Sequence, residues 1–173
     1  MGGPTRWPKT LLKRQAKMSN LSLPVLKGMN TAQLEALYVK PGEIVVPDQQ
    51  SFRGHTLTRL NNQGADDLAH LLPQWLLFET MPYGINFLHA LGNWFFFEPR
   101  IALATFEPRI GRSRWRDTET ITMNYHVSIL PDPVKDLLYD EIKPIGNGLY
   151  LGIGGTNAER GRGDHFFFVL EPV

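Results

Sequence analysis

The residues of this chain best suited to moving a proton are the adjacent acids Asp140 and Glu141 and the pair Tyr125-His126. Neighbours in an extended strand point to opposite faces, so one acid of the pair can enter a cavity while the other stays wet. A carboxyl group taken out of water keeps its proton to higher pH, which suits general acid-base work. A polar connection after Tyr139 accounts for both acids equally well and is the plainer reading. His126 ends a run in which Thr120, Thr122, Asn124 and His126 share one face while Ile121, Met123, Tyr125 and Val127 share the other. A half-exposed strand shows that alternation, and so does a barrel lumen lined with hydrogen-bonding groups. On the catalytic reading, His126 and Glu141 exchange the proton, and Tyr125 or Tyr150 donates to a developing oxyanion.

Other residues point to binding. Trp75, Phe78, Tyr83, Phe87, Trp94, Phe95, Phe96 and Phe97 crowd one stretch of the chain. Trp94 and Phe96 fall on one strand face and Phe95 and Phe97 on the other, so one side meets a core and the other a cavity, helix or partner. Core packing is the commoner explanation; an apolar pocket walled by Trp94, Phe96 and Tyr125 is the functional one. Arg109, Arg112, Arg114 and Arg116 surround Trp115. In an extended chain Arg112, Arg114 and Arg116 share a face able to grip a phosphate or carboxylate headgroup, or nucleic acid with Trp115 stacking, but a solvated hairpin tip is the commoner explanation. His165 opens the last strand and could reach a haem iron from a barrel mouth, without a second signature to support it. None of the five histidines forms a metal-spaced pair, so no metal site and no cofactor is expected.

These groups have to be carried by strands. Asp140–Ile145, Gly146-Asn147-Gly148 and Leu149–Ile153 read as two strands joined at Asn-Gly, whose residues tolerate positive φ. His165–Leu170 adds a third antiparallel strand. Upstream, Glu43–Val46, Ser51–Leu60, Trp94–Glu98, Ile101–Glu107 and Glu119–Ile129 read as strands, with Leu21–Lys27 as an extended lead-in. A helix begins at Asn30 with Gln33 at capping-box spacing. Further helices are expected over about 66–78, about 84–91 and 132–139. Phe97-Glu98-Pro99-Arg100-Ile101 recurs as Phe106-Glu107-Pro108-Arg109-Ile110, best explained by similar strand ends. The fold class is therefore mainly β (α+β): a small antiparallel β-barrel or strongly curved sheet, with a few short helices capping one end. Residues 1–20 read as a disordered basic leader and 21–173 as one barrel domain.

The late hairpin around Gly148-Leu149-Tyr150-Leu151-Gly152 and the final aromatic strand resemble lipocalin-like small barrels over the last 80 residues or so. The Gly-x-Trp signature of that group is absent near the start; Gly92-Asn93-Trp94 lies in mid-chain instead. The resemblance implies binding of apolar small molecules and, in some members, isomerase or synthase activity.

Composition sets the outer limits. Net charge is +1, which argues against nucleic acid as a partner, and the absence of cysteine removes disulfides and thiolate chemistry. No apolar run nears the roughly 18–20 residues of a membrane-spanning helix. A cytoplasmic location is expected, with organelle targeting by residues 1–17 as the alternative; homo-oligomers remain open. The expected function is binding of a hydrophobic small molecule or lipid in a barrel cavity, with Arg114, His126 or His165 at a polar end. The alternatives are a cofactor-independent isomerase, cyclase or lyase in the same cavity, and an interaction subunit of a protein complex.

Overall fold

Eight antiparallel strands close into a barrel in sequence order, the first pairing with the last. The computed structural model describes residues 21–60, 81–99, 102–156 and 159–173. In chain order these form α1 (Leu23–Lys27), α2 (Thr31–Tyr38), β1 (Gln50–Arg59), β2 (Tyr83–Leu88), β3 (Leu91–Phe96), β4 (Ala102–Arg112), β5 (Glu119–Asn124), a single 3-10 turn (Tyr125–Val127), α3 (Asp132–Leu137), β6 (Tyr139–Gly146), β7 (Leu149–Gly155) and β8 (Asp164–Pro172). The expected helix over 66–78 and the basic leader lie outside the described residues.

The closing meander forms as its turn chemistry requires. Asn147 and Gly148, at φ 55° and 73°, make the two-residue connection between β6 and β7, a conformation that suits Asn-Gly and matches strand twist. Asn30 caps α2 by accepting from the Gln33 backbone, while the Gln33 side chain accepts from the Asn30 backbone.

Other expectations are corrected. The lead-in is helical over Leu23–Lys27, because Pro24 sits in the first turn, where its missing N–H costs nothing. Glu43–Val46 is not a strand; it crosses toward the barrel with Ile44 and Val46 half-buried against the inner core. The stretch expected to be helical over 84–91 is β2 and the turn after it. Ile85 and Phe87 alternate inward, Asn86 points outward, and His89 at φ 48° opens the hairpin to β3. The strand expected over 119–129 ends at Asn124 and tightens into the 3-10 turn. The two copies of the duplicated pentapeptide differ over the described residues, which leave out Arg100 and Ile101. Its first copy leaves β3 at an exposed Phe97 with φ 63°, whereas its second runs through the middle of β4 with Phe106 in the core.

Two cores share the barrel wall. Inside lie Phe52, Tyr83, Phe87, Trp94, Phe106 and Phe168, with Ile121 and Met123 of β5 and Ile142 of β6. An eight-stranded barrel is just wide enough for side chains to fill, and here rings meet edge to face, as Phe87 and Phe106 do at 5.8 Å. Outside β6, β7 and β8 a second core joins Leu151, Ile153, Phe167 and Val169 to Leu26, Leu34 and Tyr38 of the N-terminal helices and to Trp115. That answers the puzzle of Phe166-Phe167-Phe168: the first and third fill the lumen and the second packs under α1 and α2. Gly152 makes room for this, since a Cβ there would run into the Phe168 ring.

Candidate functional site

The alternation of β6 decides which acid enters the barrel. Ile142 faces the lumen, so Asp140 does too, and Glu141 faces out. Asp140 pairs across the sheet with Gly154 and Met123, and the Tyr125 side chain follows Met123 inward although the chain has left the strand. There the Tyr125 hydroxyl donates to Asp140 Oδ2 at 2.5 Å and accepts from Trp94 Nε1 at 2.6 Å. Burial pushes the Asp140 carboxyl up to about 7, with the neighbouring Glu141 adding to the rise and the Tyr125 hydroxyl and Gly155 N–H opposing it. Burial first, and then the adjacent Asp140, hold the Tyr125 phenol well above its ordinary value. Gly154 is required at this spot, because a Cβ would sit 2.6 Å from the Phe166 ring and 2.8 Å from Asp140 Oδ1. The result is a carboxyl group titrating near neutrality in an aromatic chamber, with one phenol in line to pass its proton.

A cleft of about 440 Å³ leads to Tyr125 from outside. It lies between the β4–β5 hairpin and α3, lined on the apolar side by Met123, Tyr125, Leu138 and Tyr139 and on the polar side by Arg109, Arg112, Arg114, His126, Lys135 and Asp136. A larger hollow of about 680 Å³ runs along β1 past Lys27, Arg53, His55 and Arg59, and touches the inner core only at Tyr83 and Met81. The chemistry therefore concentrates at the smaller cleft.

Of the residues singled out from sequence, the structure brings together Trp94, Phe96 and Tyr125. All three face the lumen, where the Tyr83 ring lies 5.8 Å from Trp94 and 6.5 Å from Phe96. They pack against other side chains there, so the chamber itself is filled. Arg114 and His126 meet at the cleft. His126 points outward, with Nδ1 2.7 Å from Asn124 Oδ1 and Nε2 3.6 Å from Glu107. It shares no contact with Glu141, so the expected His126–Glu141 exchange has no geometric basis. Both residues lie on the outer side; what separates them is distance along the sheet, since Glu141 sits opposite Thr122 while β5 ends at Asn124 and the 3-10 turn carries His126 away to the rim.

Glu141 is buried beneath α2, where Tyr38 donates at 3.0 Å and Tyr139 at 3.2 Å, and Ser113 also donates. Desolvation raises its carboxyl despite these bonds. Tyr150 lies about 13 Å along β7 from Gly154, at the other end of the barrel, with its ring 5.3 Å from Phe52 and its hydroxyl donating to the Val45 carbonyl at 3.3 Å. His165 is buried on the outer face, its Nε2 2.8 Å from Thr156 Oγ1. Among the described residues no group of three or more His, Asp or Glu side chains is placed to hold a metal ion.

The arginine segment departs from the shared face expected of it. Arg112 is exposed and paired with Asp117 at 2.9 Å, Arg114 lies over the Tyr139 ring, and Arg116 turns inward to bind Glu35 and Asp164. Trp115 and Arg116 are buried, so this is a hairpin folded back on the wall and not a solvated tip. The residue sequence reasoning undervalued is Asp140; the inward register of Ile142, two residues on, is the signal that finds it.

No protein-family model matches the chain, and no curated protein matches it. Among solved structures it is similar to a protein from Thermomonospora curvata, at 17% identity, with 91% of this chain and 95% of that one covered and a TM-score of 0.45. No helix among the described residues is long and apolar enough to cross a membrane.

Proposed function

We propose that this protein binds a small amphipathic organic molecule in the cleft between the β4–β5 hairpin and α3, with the inner end of the ligand against Tyr125. The observation that carries the reading is a cleft of about 440 Å³ whose floor is the same tyrosine that hydrogen-bonds a buried, near-neutral carboxyl group. The lining mixes a few apolar side chains with more numerous charged ones, which suits a molecule with both kinds of surface, and perturbed acids gather at such sites.

A second reading follows from Asp140. An acid poised near pH 7 and linked to a phenol can take a proton from a bound carbon or oxygen acid and return it elsewhere, as an isomerase or lyase requires. Tyr125 would then be the group touching substrate and Asp140 the proton reservoir behind it.

The test of binding is a fluorescence titration with phenylnaphthylamine, an uncharged aromatic probe. Saturable binding is expected at one site, and Leu138→Arg, which places a charge on the cleft floor, should weaken it about tenfold or more. Loss of saturable binding in the native protein, or binding indifferent to Leu138→Arg with the fold intact by circular dichroism, would count against the cleft.

A further inference from the structure

The cleft described above has one wall unlike the rest, and the following inference rests on that cleft being a small-molecule site. Five of its lining residues are basic or protonatable and one, Asp136, is acidic. Four of the five have carboxylate neighbours beyond the lining: Arg109 meets Glu107 at 2.9 Å, His126 meets the same Glu107 at 3.6 Å, Arg112 meets Asp117 at 2.9 Å, and Lys135 meets Asp132 at 2.8 Å. Arg114 differs. Among the described residues it makes no ion pair; its guanidinium carbon stands 5.0 Å from the centroid of the Tyr139 ring.

That ring is itself fixed. The Tyr139 hydroxyl donates to Glu141, and Trp115 packs edge-on to it at 4.7 Å. The Arg114 backbone N–H also bonds Glu141. A guanidinium stacked on an immobile ring has its fork of N–H donors oriented in advance, so less rotamer freedom is lost when an anion is gripped.

We infer that the cleft takes an organic acid, with its apolar body on Leu138, its inner end against the edge of Tyr125 and its carboxylate or phosphate headgroup held by Arg114. The other four already have a carboxylate beside them, so Arg114 is, among the described lining residues, the cation without an anionic partner. Amphipathic ligands of this shape use both walls, which explains why one cleft carries an aromatic floor beside a guanidinium. The acid shared by carboxylates and phosphates is the recognised feature, and a planar carboxylate fits the two-pronged guanidinium best.

The experiment compares two probes of nearly the same body, phenylnaphthylamine without charge and anilinonaphthalene sulfonate with one fixed negative charge. The native protein should bind the sulfonate more tightly, and Arg114→Gln should weaken the sulfonate about tenfold while moving the uncharged probe less than about twofold. Arg114→Lys, which keeps the charge without the fork, should recover part of the loss. Arg53→Gln, on β1 and outside the cleft, should leave both probes unchanged. Competition by decanoate and by decyl phosphate against the bound sulfonate then tells the two headgroup sources apart. If Arg114→Gln weakens both probes alike or neither, Arg114 does not read charge and the inference is overturned while the cleft stands. If neither probe binds the native protein, the cleft reading itself fails.

Discussion

Asp140 and Glu141 are neighbours in one strand, both buried, and they live in different worlds. Glu141 faces the outer core and is tied by hydroxyls from three separate places: Tyr38 at the end of α2, Ser113 in the β4–β5 connection and Tyr139 in its own strand. Asp140 faces the lumen with one hydroxyl, that of Tyr125, and a backbone N–H from Gly155. A carboxylate held by donors from other segments, here Tyr38 and Ser113, is a clamp, because those bonds fix α2 and the β4–β5 connection against β6. A sparsely bonded carboxyl group at the back of a cleft is a reservoir, because it can change charge without releasing a segment. Burial is common to both; the number and origin of the donors separate structure from chemistry.

The largest effect expected is on pH dependence. With its folded value raised from the ordinary 3.8 to about 7, Asp140 binds its proton more tightly in the folded chain than in the unfolded one. Its contribution to stability is therefore fully present below about pH 4 and is lost as pH climbs through about 7, a swing on the order of 4 kcal/mol. Asp140→Asn mimics the protonated acid, so chemical denaturation from pH 4 to 8.5 should show most of that slope gone, with the variant more stable than the native protein at the alkaline end. A residual slope of the same sign is expected from Glu141, whose carboxyl is also raised.

Glu141→Ala should cost about 3 kcal/mol at neutral pH, since three hydroxyl bonds go and a cavity remains. Probe binding in the cleft should survive in the folded fraction, apart from the loosening of Tyr139. Denaturant melts paired with the phenylnaphthylamine titration check both halves.

Gly154→Ala puts a methyl group against Phe166 and Asp140. A loss of about 2 kcal/mol is expected from overpacking, together with altered Asp140 titration; the corresponding change at Gly111, where a Cβ meets nothing within 4 Å, should do far less. Tyr125→Phe is the mildest, at about 1 kcal/mol, and should push the Asp140 carboxyl higher still by removing the donor that stabilises its charged form.

How much of this was readable from the residues depends on distance along the chain. The β6–β7 hairpin is written in Asn147-Gly148, and the α2 start in Asn30 and Gln33, because both features are decided by contacts within a few residues. Strand β2 reads as a helix because its Gly84 and neighbouring aromatics fit no local template. What decides it is Phe95 on the facing strand, whose ring occupies the place of a Gly84 Cβ. The opposite faces of Asp140 and Glu141 follow from strand alternation, but which face is the lumen depends on the register with Met123 and Gly154. Glu141 could not be recognised as a clamp from sequence, since Tyr38 lies 103 residues away. His126 attracts notice by type, yet one turn of 3-10 helix and the outward polar face of β5 leave it at the rim.

The most direct measurement is the carboxyl carbon NMR titration of Asp140, with and without bound phenylnaphthylamine, using Asp140→Asn to assign the signal. A midpoint near 7 is expected for Asp140, moving when the probe occupies the cleft, while the Glu141 signal is unmoved by the probe. A midpoint in the ordinary carboxylate range, or an Asp140 titration indifferent to a probe shown to be bound, would contradict the reservoir role of Asp140.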